Sequence, residues 1–334
     1  MGMLVDGRWR TRETTGELDT RGGDGRFRRA PTHFRDWVTP DGAPGPSGRG
    51  GFKAEPGRYH LYASLACPWA HRTLIVRALE GLEHAVSLSV VNPLMGEEGW
   101  TFEPGDGVVP DTVNGAQRLH EIYALADATY TGRVTVPVLW DKARRTIVNN
   151  ESAEIMRMFD SAFGTDGPDL YPEPLRHEID LVNERIYDTL NNGVYKAGFA
   201  ATQEAYEEAV SELFATLDWL ENRLARRRTL VGDRITEADW RLFTTLVRFD
   251  AVYHGHFKCN LRRLVDYPNL WGYARELYQV PKVAETVDMD HIKRHYYLSH
   301  GWLNPSGIVP KGPLVDWTEP HGRDRRPGAG FCPK

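Results

Sequence analysis

The sequence predicts an α/β unit followed by an all-helical region, and two features of the chain order predict this class. An apolar strand at residues 59–63, a helix from Arg72 to Gly81 and a second apolar strand at residues 86–91 form a β-α-β unit. Such a unit implies a parallel strand pair with a right-handed crossover. Beyond residue 172, by contrast, apolar residues recur at the spacing of helices that bury one face.

The remaining elements of the α/β unit follow from the same kinds of pattern. A helix is predicted from Gln117 to Ala126, a strand from Val134 to Trp140, and a hairpin partner for that strand at residues 146–148. A further helix opens at Asn150-Glu151-Ser152 and runs through Phe159. The predicted order of this unit is therefore β-α-β followed by α-β-β-α.

In the helical region, Thr236 and Asp239 stand at the N-cap and N3 positions of a predicted capping box. Two further helices are predicted at residues 270–278 and 281–287. Glycine, proline and charged residues dominate both ends of the chain, which predicts little regular structure there. We therefore divide the chain into an irregular lead-in at 1–57, an α/β domain at 58–165, a helical domain at 172–300 and an irregular tail at 301–334.

The composition excludes several classes of protein. A chain of 334 residues with 41% hydrophobic and 26% charged residues is globular and long enough for two domains. Its formal net charge of -5 gives no electrostatic reason to bind nucleic acid or an anionic membrane. No apolar run is long enough to span a bilayer. The three cysteines, Cys67, Cys259 and Cys332, form a poor disulfide framework, so we expect a cytoplasmic protein.

Cys67 is the strongest candidate for a reactive group. It immediately precedes a predicted helix, whose first N–H groups have no intrahelical partner and carry partial positive charge. These groups stabilise a thiolate. Pro68 suits the first helical position because its missing N–H costs nothing there, and Arg72 adds a positive charge one turn later. The alternative is a buried structural cysteine. Cys259 and Cys332 lack this setting, and we interpret both as structural or incidental.

A second candidate is the Val136-Pro137 dipeptide. Proline cannot donate to a strand ladder, so it lies at an edge or a bulge. A cis peptide bond here would leave the N–H and C=O of Val136 available to a peptide ligand. An ordinary proline in an edge strand is the alternative.

A third candidate is Glu151-Ser152, at the start of another predicted helix. The Ser152 hydroxyl and the neighbouring N–H groups can hold a carboxylate, and Glu151 can hold an ammonium group. Together they suit the amino-acid end of a γ-glutamyl group, although ordinary helix capping explains the same residues.

In combination, the order of these elements resembles the thioredoxin-like glutathione transferases over nearly the whole chain. The predicted fold class is thus an α/β thioredoxin-like N-terminal domain plus an all-α C-terminal helical domain, the glutathione transferase fold. Several blocks narrow the resemblance to the glutathionyl-hydroquinone reductases, the xi class, which is omega-like. These blocks are Cys67 to Arg72, Val134 to Asp141, Asn149 to Ser152, His295 to His300 and Asn304 to Pro310.

The resemblance implies glutathione-dependent reduction of glutathionyl-hydroquinones through a mixed disulfide between Cys67 and glutathione. It places Tyr195 and Tyr296 as catalytic residues and Tyr253 as a binding residue in the quinol pocket. Trp100 would contact both glutathione and substrate. The glutathione-binding set is Trp100, Arg133, Val136, Glu151 and Ser152. Packing of the tyrosines, loop anchoring by Trp100 and a solvated Arg133 are the alternatives.

Three other functions remain open from the sequence. An omega-type thiol transferase or dehydroascorbate reductase would use the same thiolate. A non-catalytic binding protein could carry the same fold, and another small thiol could replace glutathione as the donor. We expect no metal, because the histidine pairs 254/256 and 291/295 lack a third ligand at suitable spacing. A homodimer is expected by analogy with two-domain transferases.

Overall fold

The computed structural model of the chain describes residues 2–11, 23–46 and 50–332. They form two compact units. Unit 1 combines the described residues of Met1–Asp19 with Pro31–Asp166 and Thr286–Val309. Unit 2 combines the described residues of Thr20–Ala30, Gly167–Glu285 and Pro310–Lys334.

Unit 1 contains the strands. In chain order they are β1 (Met3–Val5), β2 (Arg8–Arg10), β3 (Trp37–Thr39), β4 (Gly51–Lys53), β5 (Tyr59–Ala63), β6 (Val86–Val90), β7 (Val138–Asp141) and β8 (Thr146–Asn149). The main sheet has the order β6-β5-β7-β8, in which β5 and β6 are parallel and β7 is antiparallel to both β5 and β8. All five residues of β5 are buried, as expected of a central strand.

Helices belong to both units. Those of unit 1 are α1 (Pro68–Leu79), α2 (Leu119–Ala126), α3 (Ser152–Ser161) and the later α9 (Met289–Ser299). Those of unit 2 are α4 (Arg176–Ile186), α5 (Gly193–Gly198), α6 (Gln203–Leu224), α7 (Glu237–Arg248) and α8 (Pro268–Tyr278). In unit 1, α1 packs against α3, so the helices that follow Cys67 and Glu151 support each other.

The lead-in contains more regular structure than the sequence predicts. β1 and β2 pair as an antiparallel hairpin, and β3 pairs in parallel with β4. β3 lies beside β8 and α3, and the N–H of Asp36 donates to the carbonyl of Val148 at 3.0 Å. Glycine-rich composition predicts turns correctly but does not reveal strands of three residues that pair with distant parts of the chain.

The last helix, α9, belongs to unit 1, whereas the sequence places it in a helical domain ending at residue 300. Side chains of α9 hydrogen-bond to backbone groups elsewhere in unit 1, and these contacts explain why the helix belongs to that unit. His291 Nε2 lies 2.6 Å from the carbonyl oxygen of Asp106, and His295 Nδ1 lies 2.9 Å from that of Pro93. The Ser299 hydroxyl accepts a hydrogen bond from the N–H of Met95 at 2.9 Å. These contacts span about two hundred residues, which local sequence patterns do not report.

In unit 2 the predicted capping box is present. The N–H of Thr236 donates to the Asp239 carboxylate at 2.7 Å, and the Tyr273 hydroxyl donates to the same carboxylate at 2.7 Å. Burial raises the pKa of Asp239. The predicted helix at residues 281–287 is wrong. Only a single 3₁₀ turn forms at Ala284–Thr286, because Lys282 has φ +71°, outside the helical region.

The described part of the tail is irregular but well anchored. Within unit 2, Arg323 is buried and its guanidinium donates to the Glu276 carboxylate at 3.1 Å and to the carbonyls of Arg227 and Arg228 at 2.7 Å each. Among the described residues, no helix is both long and apolar enough to cross a membrane.

Candidate active site

Cys67 lies in unit 1 where β5 leads into α1. It is the N-cap residue of α1, with extended backbone angles of φ -77° and ψ 122°, and Pro68 takes the first helical position. The carbonyl of Cys67 accepts the N–H of His71 at 2.9 Å, which fixes the first turn. The side chain is partly exposed. The thiol therefore lies, partly exposed, at the start of a helix, where the sequence predicts it.

Val136 lies beside this thiol. The Val136-Pro137 peptide bond is cis, and the Val136 carbonyl oxygen is 3.7 Å from Cys67 Sγ. The described residues provide no hydrogen-bond partner for the Val136 N–H. β7 begins only at Val138, so the predicted strand from Val134 starts four residues too early. An extended ligand backbone at Cys67 would thus find an N–H donor next to the nucleophile.

Glu151 and Ser152 form the start of α3. Glu151 is the N-cap residue, and its carboxylate accepts the N–H of Ala153 at 3.2 Å. The Thr32 hydroxyl also donates to this carboxylate, at 3.3 Å. The Ser152 hydroxyl is buried, and no hydrogen-bond partner for it lies within the described chain. A buried hydroxyl without a partner costs free energy, so Ser152 has the donor that a bound carboxylate would satisfy.

A buried tyrosine joins the Val136 loop to the start of α3. The Tyr123 hydroxyl donates to the carbonyl of Thr135 at 2.8 Å and accepts from the side-chain amide of Asn150 at 3.1 Å. Burial raises the pKa of Tyr123, so it stays neutral and keeps its proton for Thr135. This bridge fixes the two backbone segments that carry Val136 and Ser152.

Trp100 is buried in the long loop between β6 and α2. Its indole stacks on the imidazole of His295, with ring centroids 4.8 Å apart and an interplanar angle of 24°. Its carbonyl accepts the N–H of Leu119 at 2.9 Å. Tyr296, the next residue of α9, is also buried, and its ring meets that of His295 edge to face at 5.2 Å. Trp100 and Tyr296 are therefore connected through one histidine.

Arg133 is partly exposed in the segment before Val136. Its carbonyl accepts the Tyr130 hydroxyl at 2.9 Å, and burial raises the pKa of Tyr130. This contact holds the backbone of Arg133 next to the Val136 loop.

Tyr195 and Tyr253 come together in unit 2. Their ring centroids are 6.2 Å apart, and both pack on Phe257, at 5.5 Å each. Tyr253 is completely buried, whereas Tyr195 keeps a small exposed fraction of 9%. Two of the three tyrosines that the resemblance assigns to the quinol pocket therefore form one aromatic cluster, and Tyr195 provides its accessible side.

Both of these tyrosines adjoin π-helical turns. One turn, Tyr187–Asn191, ends just before α5, and the other, Phe249–Tyr253, follows α7. In each turn a backbone N–H reaches the carbonyl five residues earlier, at 2.8 Å. Such turns occur frequently at functional sites. The sequence predicts uninterrupted helical spacing here and does not reveal them.

Three residues of these surroundings were missed by sequence reasoning. Phe27 and Arg29, from the lead-in, contact Tyr195 within unit 2: the Phe27 ring lies at 6.3 Å and the Arg29 guanidinium at 5.0 Å from the Tyr195 ring. Arg29 Nε also donates to the side-chain carbonyl of Asn192 at 3.0 Å. The sequence indicates His295 as part of the block from His295 to His300 and as a weak metal-ligand candidate, and not as a partner of Trp100. The arginine-rich lead-in carries no local signal for contacts this distant in sequence.

Two histidines of α9, His291 and His295, hydrogen-bond to backbone carbonyls. Among the described residues, no three His, Cys, Asp or Glu side chains converge as a metal site would require.

Comparison with known proteins identifies the family. A model of the glutathione S-transferase N-terminal domain matches residues 66–162, and one of the C-terminal domain matches residues 203–276. Glutathionyl-hydroquinone reductase YqjG of Escherichia coli (strain K12) is 57% identical, covering 98% of this chain and 100% of YqjG. A xi-class transferase structure from Natrialba magadii matches with a TM-score of 0.89 and 51% identity, over 98% of each chain. The chain belongs to the xi class of glutathione transferases.

A further solved structure bears on the ligand of this family. The glutathione-bound structure of YqjG matches with a TM-score of 0.89 and 55% identity, over 97% of this chain and 99% of that one. The resemblance predicted from the sequence is thus confirmed, as is the fold: a thioredoxin-like domain plus a helical domain. The roles of individual residues stay predictions.

Proposed function

We propose that this xi-class enzyme reduces glutathionyl-hydroquinones to hydroquinones with glutathione as co-substrate and Cys67 as nucleophile. The observation that carries the proposal is Cys67 itself, a partly exposed thiol at the N-cap of α1. It occurs in a chain that is 57% identical to a glutathionyl-hydroquinone reductase over nearly its full length. Shared family membership favours an enzyme with this reaction over a non-catalytic binding protein.

The reaction has two steps, and its electrons balance within them. The Cys67 thiolate attacks the glutathione sulfur of the conjugate, a sulfur–sulfur bond forms, and the carbon–sulfur bond to the ring breaks. The ring carbon takes the bonding electron pair and a proton, so the ring is reduced while the glutathione sulfur is oxidised. A second glutathione then attacks the mixed disulfide, releases glutathione disulfide and restores the thiolate.

Glutathione binding is assigned to the residues around Cys67 in unit 1. The Val136 backbone pairs with the cysteinyl part of the tripeptide, since its N–H has no partner among the described residues and its carbonyl lies beside Sγ. The Ser152 hydroxyl and the first N–H groups of α3 hold the γ-glutamyl carboxylate, and Glu151 holds its ammonium group. Arg133 pairs with the glycyl carboxylate, and Trp100 packs on the tripeptide.

Protonation of the ring carbon is assigned to tyrosines. Phenolic groups can donate a proton or stabilise the keto tautomer of the ring from which the carbon–sulfur bond breaks. This role is assigned to Tyr195 and Tyr296, and contacts with the quinol ring are assigned to Tyr253 and Trp100. The cluster of Tyr195 with Tyr253 and Phe257 supports the assignment, because aromatic side chains favour contact with a planar ring.

The decisive test is turnover of a glutathionyl-hydroquinone by the wild-type chain, by Cys67→Ser and by Cys259→Ser. Cys67→Ser should lose at least about a thousandfold in kcat/KM, as enzymes do when a nucleophile is removed. Cys259→Ser should keep wild-type turnover. Equal activity of the wild type and Cys67→Ser would refute the mechanism. Preferred turnover of dehydroascorbate, or of a thiol donor other than glutathione, would refute the substrate assignment.

We further propose a cytoplasmic homodimer. The cysteines at 67, 259 and 332 are all free, which fits a reducing compartment that also supplies glutathione. Two-domain transferases are commonly dimers, which supports the dimer by analogy. Light scattering from the purified chain would measure its mass, and a monomer at micromolar concentration would contradict the proposal.

A further inference from the structure

His295 occupies a central position in unit 1 that the proposed chemistry does not use. It is buried in α9, and its Nδ1 lies 2.9 Å from the carbonyl oxygen of Pro93. A carbonyl oxygen can only accept, so Nδ1 must carry a proton and donate it. The hydrogen bond therefore fixes both the tautomer and the plane of the imidazole ring.

That fixed ring contacts two residues with proposed roles in binding and catalysis. Its face stacks on Trp100, with centroids 4.8 Å apart and 24° between the planes. Its edge meets Tyr296 at 5.2 Å and 74°. Trp100 is assigned to both glutathione and the quinol ring, and Tyr296 to the quinol ring. One imidazole thus sets the orientation of a residue for each substrate.

We propose that His295 is a positioning residue of this enzyme: anchored to the Pro93 carbonyl, it holds Trp100 for glutathione and Tyr296 for the quinol ring. The inference rests on the proposed function, because it presumes the roles given to Trp100 and Tyr296. A side chain that fixes the orientation of reacting groups can change rates strongly without touching substrate.

His291 provides a matched comparison on the same helix. It lies one turn earlier, is also buried, and its Nε2 lies 2.6 Å from the carbonyl oxygen of Asp106. Within the described chain its ring stacks on no other aromatic ring. Both histidines therefore anchor α9 to unit 1, but only His295 also orients Trp100 and Tyr296.

The experiment compares His295→Asn, His295→Phe and His291→Asn in the full-length enzyme. Asparagine keeps a donor for the Pro93 carbonyl but removes the ring, whereas phenylalanine keeps the ring but removes the donor. We measure kcat with a glutathionyl-hydroquinone. We also measure the glutathione Kd by calorimetry in a Cys67→Ser background, which prevents disulfide exchange. Thermal unfolding of each variant monitors the fold.

We expect His295→Asn to raise the glutathione Kd about three- to tenfold, the range of a lost aromatic pair. It should also lower kcat about tenfold, while His291→Asn changes neither by more than about twofold at a similar loss of thermal stability. The Kd and kcat of His295→Phe should lie between those of His295→Asn and His291→Asn. In a Trp100→Ala background, His295→Asn should no longer affect the Kd, and in a Tyr296→Phe background it should no longer affect kcat.

Two results would overturn the proposal: wild-type Kd and kcat in His295→Asn, or equal losses in His291→Asn, which would indicate general docking of α9. Failure of the proposed function would look different. In that case the wild type would not turn over the conjugate, yet glutathione binding by the His295 variants would still decide whether His295 orients Trp100.

Discussion

Cys67 and Cys259 have nearly the same immediate contact but opposite settings. Each sulfur lies close to a backbone carbonyl oxygen, at 3.7 Å from Val136 for Cys67 and at 3.8 Å from Phe257 for Cys259. Cys259 is completely buried, and that burial raises the pKa of its thiol strongly. Cys67 is partly exposed at the start of a helix. We infer that access and helix position, rather than the local contact, make Cys67 the candidate nucleophile and Cys259 a packing residue.

The largest expected effect is in the rate of alkylation. With iodoacetamide at pH 7, Cys67 should react at least about a thousandfold faster than Cys259, because a buried thiol reacts only after local opening. Peptide mapping by mass spectrometry after timed quenching measures both rates in one sample.

Cys332, which is partly exposed and lies outside any helix start, serves as the internal reference. It should react more slowly than Cys67, because it lacks the N–H groups of α1. Equal rates for Cys67 and Cys332 would mean that exposure alone explains the reactivity, and the role of the helix start would be lost.

The fold loses stability in acid, and this loss limits the pH range in which the reactivity of the thiols can be compared. Burial lowers the pKa of His60 from 6.5 to about 4. Between these values the unfolded chain binds more protons than the folded one, so stability is complete above pH 6.5 and falls as the pH drops towards 4. The loss should reach about 2–3 kcal/mol at pH 4. His256 in unit 2 is shifted in the same direction by burial, with more solvent screening.

Urea unfolding at a series of pH values measures this fall in the free energy of unfolding. His60→Gln should flatten it, because glutamine does not titrate, whereas the exposed His177 should have no effect when changed to Gln. An unchanged slope in His60→Gln would show that other groups cause the loss at acid pH.

The sequence predicts those features whose causes are local. The strand at 59–63, the helix that follows Cys67 and the capping box of Thr236 with Asp239 all depend on residues within a few positions of one another, and all are present. The helix at 281–287 fails for an equally local reason, the positive φ of Lys282, which no propensity rule anticipates in a lysine.

The candidate site divides in the same way. Cys67 and Ser152 can be found from the sequence because helix starts have local signatures. The contact of Arg29 with Tyr195, and that of His295 with Trp100, cannot be found so, because they join segments more than 160 residues apart. The π-helical turns beside Tyr195 and Tyr253 were also missed, since a single inserted residue barely disturbs the apolar spacing.

The comparison of the two thiols presumes that glutathione reaches Cys67, and Ser152→Ala tests this. Loss of the hydroxyl should weaken glutathione binding about tenfold, because a hydrogen bond to a carboxylate is lost. Calorimetry in a Cys67→Ser background gives the Kd. Ser161→Ala is the control at the opposite, exposed end of α3, where the hydroxyl donates to the Arg157 carbonyl at 2.6 Å. Equal affinities of Ser152→Ala and the parent chain would remove Ser152 from the glutathione site.

The smallest expected effect is on stability. Here Cys259 should matter more than Cys67, although Cys67 is expected to be the more reactive thiol. Cys259→Ser should lower the free energy of unfolding by about 1–2 kcal/mol, because the hydroxyl is costlier to bury than the thiol and the Phe257 carbonyl is too distant for a good hydrogen bond. The same substitution at the partly exposed Cys67 should cost less than about 0.5 kcal/mol. Urea unfolding at pH 7.5 measures both, above the range in which His60 titrates. A larger loss of stability at Cys67 than at Cys259 would mean that the sulfur at the start of α1 supports the fold, and that its exposure has been misjudged as a sign of catalysis.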